Sequence, residues 1–279
     1  MCARPAALYG RMLDLDGYFQ RIDYVGERAP TLATLRALQA RHALAIPFEN
    51  LDTLAGRPVR LDLDSLQRKL VQARRGGYCF EQNTLFREVL TALGFDVTAL
   101  AARVLWERPA DEARARTHML LLVRIGEGEY LADVGFGGLT PTAPLRLEPH
   151  VEQLTPHETF RVMRVERDFA IEARVRGDWR SLYRFDLQAQ APVDIELLNF
   201  YVTGHPDSPM LGRLVAARTA TDRRFALRNG ALAVYHSNGM QEQRDLSSVA
   251  ALRETLTDTF GIEVPPGRDL DAAFGRVLV

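Results

Sequence analysis

The sequence Arg-Gly-Gly-Tyr-Cys-Phe-Glu-Gln-Asn at residues 75–83 places a cysteine between a glycine pair and a helical pattern. Apolar positions after Cys79 recur on one helix face as far as Gly94, which predicts a buried helix over residues 79–93. A thiol in the first turn faces unpaired backbone N–H groups and the positive end of the helix dipole, and both favour the nucleophilic thiolate. Cys79 is therefore a candidate catalytic nucleophile. The alternative is an inert thiol in the core, where free cysteines are often found.

The composition is that of an ordinary globular protein. Of the 279 residues, 47% are hydrophobic and 25% are charged, and the formal net charge of −1 gives no global attraction to nucleic acid or to an anionic membrane. No apolar run approaches the roughly 20 residues that span a bilayer, and the N-terminus lacks the apolar core of a signal peptide. Two cysteines, Cys2 and Cys79, do not make a disulfide framework. We therefore expect a cytoplasmic protein with a free Cys79 and neither nucleic-acid nor membrane partners.

The spacing of hydrophobic residues changes from helical to strand-like about one third of the way along the chain. Residues 32–44 show helical spacing, with Thr31 as a capping residue and Pro47 beyond the end. Strand patterns then cover residues 95–104, 119–123, 130–134, 160–175 and 179–187. The last third mixes short strands within 225–236 with a helix over 248–260. A helical first third, a strand-rich middle and a mixed last third predict an α+β fold.

A cysteine nucleophile needs a base to accept its proton and a third group to orient that base. His118 directly precedes the apolar strand 119–123, and Asp133 lies in the next strand pattern. In an antiparallel hairpin two residues face each other when the turn lies at their midpoint, which here is 125–126, where Gly126 stands. The pair can therefore share one face, with Asp133 holding His118 in the tautomer that receives the thiol proton. His118 could equally be a structural or surface residue, and Asp133 a turn residue.

The segment Gly-Phe-Gly-Gly at residues 135–138 follows Asp133 at once. It is either a bulge at a strand exit or a glycine-lined approach where a ligand comes close to the backbone, with Phe136 as an apolar wall. It is not a phosphate-binding glycine motif, because no helix follows it. The six histidines are scattered and no Cys/His cluster has ligand spacing, so we expect no metal site.

Six further segments accompany the cysteine stretch in a fixed order. They are Arg-Ile-Asp-Tyr at 21–24, Pro-Thr-Leu at 30–32, Ile-Pro-Phe-Glu-Asn-Leu-Asp at 46–52, Thr-His at 117–118, Leu-Ala-Asp-Val-Gly-Phe-Gly at 131–137, and Asn-Phe-Tyr-Val-Thr-Gly-His-Pro-Asp-Ser at 199–208. Together these segments resemble the arylamine N-acetyltransferase family. The resemblance is most specific at the cysteine stretch and at 46–52, and it is loose over about the last seventy residues.

The resemblance implies a three-domain fold with a papain- or transglutaminase-like Cys-His-Asp core. Its parts would be a helical bundle over 1–94 with the nucleophile, a β-barrel-like domain over 95–206 with the histidine and aspartate, and an α/β lid over 207–279. It also implies a ping-pong reaction in which acetyl-CoA acetylates Cys79 and an arylamine, arylhydrazine or N-hydroxyarylamine then takes the acetyl group. His118 would move the proton in both halves, with Asp133 orienting it. Whether the chain forms a homo-oligomer stays open.

The resemblance also points to residues around the triad. Three residues match positions that line the family's acceptor pocket: Phe48, Val104 and Phe136. Two more, Phe200 and Met210, stand where the family has other large side chains. Candidate contacts to CoA are Thr117, Gly137 and His236. Glu49 and Arg75 match a buried ion pair that supports the site, the alternative being two unrelated surface charges. Family members often carry phenylalanine at Met210 and tryptophan or histidine at Phe200, so the acceptor preference does not follow from the family.

Two other functions fit part of the pattern. Another Cys-His-Asp enzyme, such as a transglutaminase-like or papain-like hydrolase, shares the nucleophile chemistry, but residues 46–52 and the Arg-Gly-Gly before Tyr78 argue against it. A non-catalytic binding module with an inert thiol would take no acetyl group from acetyl-CoA.

Overall fold

A computed structural model describes residues 13–108 and 114–278, so Cys2 lies outside the described residues. The helices are α1 (Leu15–Arg21), α2 (Leu32–Ala45), α3 (Leu51–Leu54), α4 (Leu63–Leu66), α5 (Cys79–Ala92), α6 (Pro192–Gly204), α7 (Val249–Glu254) and α8 (Arg268–Val277), with π-helical turns at Gln67–Gln72 and Thr255–Thr259. The strands are β1 (Phe48–Glu49), β2 (Asp96–Val104), β3 (His118–Ile125), β4 (Gly128–Ala132), β5 (Leu145–Arg146), β6 (Glu152–Leu154), β7 (Thr159–Val165), β8 (Asp168–Val175), β9 (Asp178–Phe185), β10 (Val215–Thr219), β11 (Arg223–Arg228), β12 (Ala231–His236) and β13 (Gln241–Asp245). Within the described ranges, every helix is too short or too polar to cross a membrane.

Two helices of the N-terminal third begin and end where the sequence predicts. In α2 the Thr31 hydroxyl accepts the N–H of Thr34 at 3.2 Å, so the predicted cap is confirmed. Helix α5 begins at Cys79, and Gly94 follows its end with a φ of +85°, in the left-handed region that favours glycine. The α5 helix is buried along nearly its whole length, so the thiol starts a helix that packs in the core.

The middle of the chain forms one antiparallel sheet of eight strands in the order β5-β4-β3-β2-β9-β8-β7-β6. The two ends of this sheet meet. The side chain of Gln153 on β6 donates to the carbonyl of Arg146 on β5 at 2.8 Å and accepts its N–H at 2.7 Å. The His150 N–H also donates to the Val162 carbonyl at 2.7 Å. The sheet is thus a nearly closed barrel filled by apolar side chains, which confirms the predicted β-barrel-like part.

The C-terminal sheet takes one strand from the N-terminal third. Its order is β1-β10-β11-β12-β13, and Phe48 on β1 pairs with Ala217 on β10. Leu51 and Leu54 of α3 lie in the same hydrophobic cluster as the helices of the C-terminal third. The α+β class is confirmed. The boundaries after residues 94 and 206 stay a prediction, and this packing ties residues 48–54 to the C-terminal part.

Candidate active site

Cys79 is the first residue of α5, and its side chain is buried, with 4% of the residue exposed. The N–H groups of the first helical turn have no partner within the helix, so they surround the sulfur with donors. Just before it, the Tyr78 N–H donates to the Glu81 carboxylate at 3.1 Å, which fixes the start of the helix. The Cys79 sulfur lies 3.6 Å from the carbonyl oxygen of Thr117, the residue before β3. The helix start and the strand start therefore meet at the thiol.

His118 and Asp133 form a buried pair beside this sulfur. The Nε2 atom of His118 lies 2.7 Å from Oδ2 of Asp133, and each side chain is at most 3% exposed. The β3–β4 register pairs Leu121 with Ala132. Continued past the end of β4, it would place Gly135 opposite His118, and Asp133 two residues away on the same face. Asp133 reaches the ring as a diagonal neighbour, a distance that a carboxylate and an imidazole can bridge.

The charges of this pair favour an ionised thiol. Burial alone would lower the pKa of His118, but the Asp133 carboxylate and hydrogen bonds to Asp133 and Cys79 raise it to about 10. Burial would raise the pKa of Asp133, and His118 together with hydrogen bonds from Asn83 and the Gly135 N–H outweighs burial and lowers it. At neutral pH the ring therefore carries both protons beside a carboxylate. Since Nε2 is engaged by Asp133, Nδ1 is left for the sulfur, and the positive ring stabilises a thiolate.

Asn83 holds Asp133 from the same helix that carries the cysteine. Its Nδ2 donates to Oδ1 of Asp133 at 3.0 Å and to the Met119 carbonyl at 2.8 Å, and its Oδ1 accepts the Val134 N–H at 3.1 Å. Sequence reasoning missed Asn83 as a residue of the site. The available signal was its spacing of four residues from Cys79, which puts both side chains on one face of α5.

The ring of Tyr183 on β9 packs against the His118 ring, and its hydroxyl forms a hydrogen bond with Asp133. Its ring centroid lies 4.7 Å from that of His118, and Phe136 packs against both rings at 5.2 and 5.1 Å. Burial raises the pKa of Tyr183 well above its usual value, and the Asp133 charge and hydrogen bond raise it further, so the hydroxyl keeps its proton and donates. Sequence reasoning missed Tyr183, because β9 reaches the site only through its pairing with β2 at Val104.

Glu49 and Arg75 lie together as the resemblance implies. Arg75 Nη2 and Nε lie 2.7 and 3.0 Å from Oε1 of Glu49, and Nη1 lies 3.0 Å from Oδ1 of Asp52. The second Glu49 oxygen accepts the Leu51 N–H at 2.6 Å. Since Glu49 is fully buried and Arg75 precedes the glycine pair, the ion pair ties β1 to the turn in front of Cys79.

Some of the other predicted residues lie near the cluster that contains Cys79, and the others lie on α6 and on the C-terminal sheet. Phe48 lies against Gly137, where an added Cβ would sit 3.6 Å from the Phe48 ring, and Gly137 has a φ of +91°. Met210 packs against the cluster that contains Cys79. Phe200 on α6 is 74% exposed. His236 ends β12 on the C-terminal sheet, with Nε2 2.6 Å from the Glu242 carboxylate. Across residues 13–108 and 114–278, no three histidine, cysteine or acidic side chains cluster as metal ligands do.

Gly135 allows the strand exit to touch the nucleophile helix, which gives a first prediction. A Cβ at Gly135 would lie 2.7 Å from the Cα of Cys79 and 3.0 Å from the Asn83 amide, and a backbone atom cannot give way cheaply. We expect Gly135→Ala to lower the free energy of unfolding by about 1–3 kcal/mol and to slow reaction at the Cys79 sulfur. Urea unfolding and thiol alkylation rates measure both.

Gly138→Ala is the matched control, because nothing lies within 4 Å of an added Cβ at Gly138. Equal losses in the two variants would contradict a role for close packing at Gly135.

A second buried histidine supports the turn before Cys79. The Tyr18 hydroxyl donates to Nδ1 of His42 at 2.9 Å, and His42 Nε2 donates to the Gln82 amide oxygen at 3.2 Å. Gln82 in turn donates to the Gly77 carbonyl at 2.7 Å. Burial lowers the pKa of His42 to about 3, partly offset by the Gln82 hydrogen bond, so this histidine is neutral in the fold.

His42 predicts that the free energy of unfolding falls as the pH drops below 6.5. This histidine is favoured neutral, so its contribution is full above its unfolded pKa of 6.5 and is lost as pH falls towards 3. The slope is about 1.4 kcal/mol per pH unit. Urea unfolding between about pH 5 and pH 7 measures it.

His42→Gln is expected to weaken the fall in the free energy of unfolding between pH 6.5 and about 5. Ordinary carboxylates stay ionised over this range. If the free energy of unfolding of this variant fell as steeply with pH as that of wild type, His42 would be excluded as the cause.

Comparison with known proteins agrees with this geometry. The family model described as N-acetyltransferase matches residues 31–269. Arylamine N-acetyltransferase of Mycolicibacterium smegmatis is 43% identical over 273 residues, which are 95% of this chain and 98% of the relative. A relative from Salmonella typhimurium, an arylamine N-acetyltransferase / N-hydroxyarylamine O-acetyltransferase, is 40% identical over 90% of this chain and 89% of its own.

A solved structure shows the same fold. Mycobacterium marinum arylamine N-acetyltransferase in complex with CoA superposes with a TM-score of 0.91 at 42% identity, covering 95% of this chain and 100% of that chain. The similarity covers 95% of this chain, so it extends well beyond the cysteine stretch. It does not favour a transglutaminase-like or papain-like hydrolase. On sequence and on structure alike, the chain belongs to the arylamine N-acetyltransferase family.

Proposed function

We propose that the chain transfers an acetyl group from acetyl-CoA to an arylamine, arylhydrazine or N-hydroxyarylamine through a thioester on Cys79. The observation that carries the proposal is the buried 2.7 Å pair of His118 and Asp133 beside a cysteine at a helix N-terminus. An imidazolium that is paired with a carboxylate favours the thiolate form of a neighbouring cysteine and needs no solvent base. Names of relatives at 40–43% identity supply the reaction class and the two acceptor types, amine and hydroxylamine.

In the first half-reaction the Cys79 thiolate attacks the thioester carbonyl of acetyl-CoA. The new C–S bond makes a tetrahedral oxyanion, which the free N–H groups of the first turn of α5 can stabilise. The C–S bond to CoA then breaks, and His118 gives its proton to the leaving CoA sulfur. The products are acetyl-Cys79, neutral His118 and CoA with a thiol.

In the second half-reaction the acceptor nitrogen or hydroxyl oxygen attacks the acetyl-Cys79 carbonyl. Neutral His118 takes the proton that the acceptor loses, with Asp133 and Tyr183 holding the ring in place. The C–S bond breaks, the acetylated acceptor leaves, and the thiolate beside the imidazolium is restored. Asp133 stays ionised throughout, because its role is to orient and stabilise the ring.

Substrate contacts are assigned from the resemblance and the surroundings of the triad. The proposed acceptor wall contains Phe136, which packs on His118, Val104, which pairs with Tyr183, and Phe48, which lies against Gly137. Phe200 and Met210 would border it. Thr117, Gly137 and His236 are proposed CoA contacts, and the CoA complex of the M. marinum relative supports CoA binding as such.

The remaining proposals concern organisation and setting. We propose the three-part division at residues 94 and 206, a cytoplasmic location that keeps Cys79 reduced, and small-molecule substrates with neither nucleic-acid nor membrane partners. The near-neutral charge of the chain supports the last point. A homo-oligomer is compatible with the proposal.

Steady-state kinetics test the function. CoA release should require an arylamine or arylhydrazine, and plots of reciprocal rate against reciprocal acetyl-CoA concentration should be parallel at different acceptor concentrations. Without acceptor, CoA release should stop after one equivalent. Continued CoA release with acetate formation would instead indicate a hydrolase, and intersecting lines would exclude the thioester route.

A further inference from the structure

Lys69 is the only lysine among 35 basic residues, and its side chain is mostly covered by the fold. It lies in the π-helical turn Gln67–Gln72, and its side chain is 13% exposed. Its Nζ atom lies 2.7 Å from Asp52, 2.7 Å from Glu81 and 3.9 Å from Glu49. In a chain that otherwise uses arginine everywhere, one ammonium group thus stands among three carboxylates.

The geometry explains why an ammonium group suits this position. Its three N–H donors are compact and can point to carboxylates on three different elements, here β1, α3 and α5. The planar fork of Arg75 already occupies the other side of Glu49 and Asp52. A guanidinium is larger and planar, so it would not repeat this three-way arrangement of N–H donors.

Lys69 is connected to both ends of the segment before the nucleophile. Its carbonyl oxygen accepts the Arg75 N–H at 3.1 Å. Its Nζ binds Oε1 of Glu81, while Oε2 of the same carboxylate accepts the Tyr78 N–H at 3.1 Å. Tyr78 immediately precedes Cys79. A single carboxylate therefore joins the Lys69 ammonium to the backbone that sets where the sulfur lies.

The charges show what Lys69 contributes. Burial would lower the pKa of Lys69, but Glu49, Glu81 and Asp52 outweigh it and hold that pKa above its usual value. Burial raises the pKa of Glu81 and Lys69 counteracts this, while the Glu49 and Asp52 charges add to the burial effect, so the pKa is raised overall. Without Lys69, the three carboxylates would face Arg75, with Arg57 at 4.0 Å from Asp52. The pKa of Glu81 would then rise further, and a protonated carboxyl accepts a backbone N–H more weakly than a carboxylate does.

We propose that Lys69 is a positioning residue for acetyl transfer, whose ammonium binds one oxygen of Glu81 so that the other oxygen holds Tyr78 and thereby Cys79 at the start of α5. The proposal rests on the proposed function for its readout, the rate of Cys79 acetylation. It assigns Lys69 no contact with substrate. Its effect on Cys79 passes through Glu81, whereas its contact with Asp52 bears on stability, so the two effects are separable.

The test compares Lys69→Met with Glu81 present and with Glu81→Gln. Glutamine keeps the oxygen that accepts the Tyr78 N–H and needs no cation, and the double variant restores the single net negative charge of the cluster. We expect Lys69→Met alone to slow Cys79 acetylation by about tenfold to a hundredfold. Its pH–rate profile should gain an ionisation that wild type lacks. In the Glu81→Gln background the same change should cost less than about threefold and add no ionisation.

Site-resolved mass spectrometry after rapid quenching measures the rates, with circular dichroism as the check on folding. Arg68→Met is the matched control, since Arg68 is exposed on the same turn, and it should react like wild type. Lys69→Arg keeps the positive charge and should slow acetylation less than Lys69→Met. Equal slowing by Lys69→Met in both backgrounds, or no slowing, would overturn the proposal. If Lys69→Met fails to fold, refolding in the double variant supports it and failure there overturns it.

The outcome is separable from failure of the proposed function. If wild type takes no acetyl group, acetyl transfer is wrong, and alkylation of Cys79 by iodoacetamide replaces acetylation as the readout. The same dependence of the Lys69 effect on Glu81 is then expected, and its absence overturns the positioning role.

Discussion

Cys79→Ala is expected to abolish acetyl transfer, with a loss of at least about 10⁵-fold in turnover. The reason is that both half-reactions pass through a bond to this sulfur, and an alanine at the helix start offers no other nucleophile. The side chain is small and buried, so the variant should remain folded with α5 intact. CoA release with and without an arylamine measures the loss.

Circular dichroism and urea unfolding serve as the control for this variant. Turnover within about a hundredfold of wild type would show that the acetyl group passes directly from acetyl-CoA to the acceptor, because the residual catalysis of a triad without its nucleophile is far smaller.

His118→Gln is expected to slow acetylation of Cys79 by about 10³- to 10⁵-fold. Glutamine can still donate a hydrogen bond to Oδ2 of Asp133, so the buried carboxylate keeps a partner and the fold should survive. It carries no charge and moves no proton. The thiol therefore loses the neighbouring imidazolium, whose pKa is raised to about 10.

The pH dependence separates this loss from a structural one. Acetylation of the variant should rise with pH as an ordinary thiol ionises, by about tenfold per pH unit below its pKa. Wild type should be nearly flat over the same range. A flat profile at reduced rate would indicate a distorted site, and a near-normal rate would exclude His118 as the base.

The core of the site could be predicted because its determinants are local. The glycine pair and the helical period locate Cys79, and one turn between two strands relates His118 to Asp133. The predicted midpoint at 125–126 differs slightly from the turn, since the loop is Gly126–Glu127 and the register, continued past the end of β4, would place Gly135 opposite His118. The face was still correct, because a shift by two residues keeps a side chain on its side of the sheet.

The parts that were not predicted depend on long-range pairing or on turns without the usual residues. Tyr183 enters the site because β9 pairs with β2, about eighty residues earlier in the chain. No residue spacing in the sequence predicts this pairing. The alternating pattern predicts a strand over residues 160–175, and the structure has a hairpin there. The hairpin turns at Glu166, which has a φ of +54°, and the turn contains no glycine or proline that would indicate it in the sequence. The helix predicted over 248–260 continues after Glu254 as a π-helical turn.

Helix α6 was missed for a different reason. Its apolar residues lie on more than one face, and Val193, Leu197 and Phe200 are exposed, so the one-sided period that indicates a helix is absent. Asn199 anchors α6 by accepting the Tyr78 hydroxyl and donating to the Val59 carbonyl at 3.0 Å. Such a contact between distant segments is visible only in the folded chain.

The most direct test of the account is the mass of the wild-type protein after brief exposure to acetyl-CoA without acceptor. We expect one acetyl group per chain, located by peptide mapping at Cys79, and its loss with first-order kinetics when an arylamine is added. No adduct, an adduct at another residue, or an adduct that an arylamine does not remove would contradict the thioester mechanism.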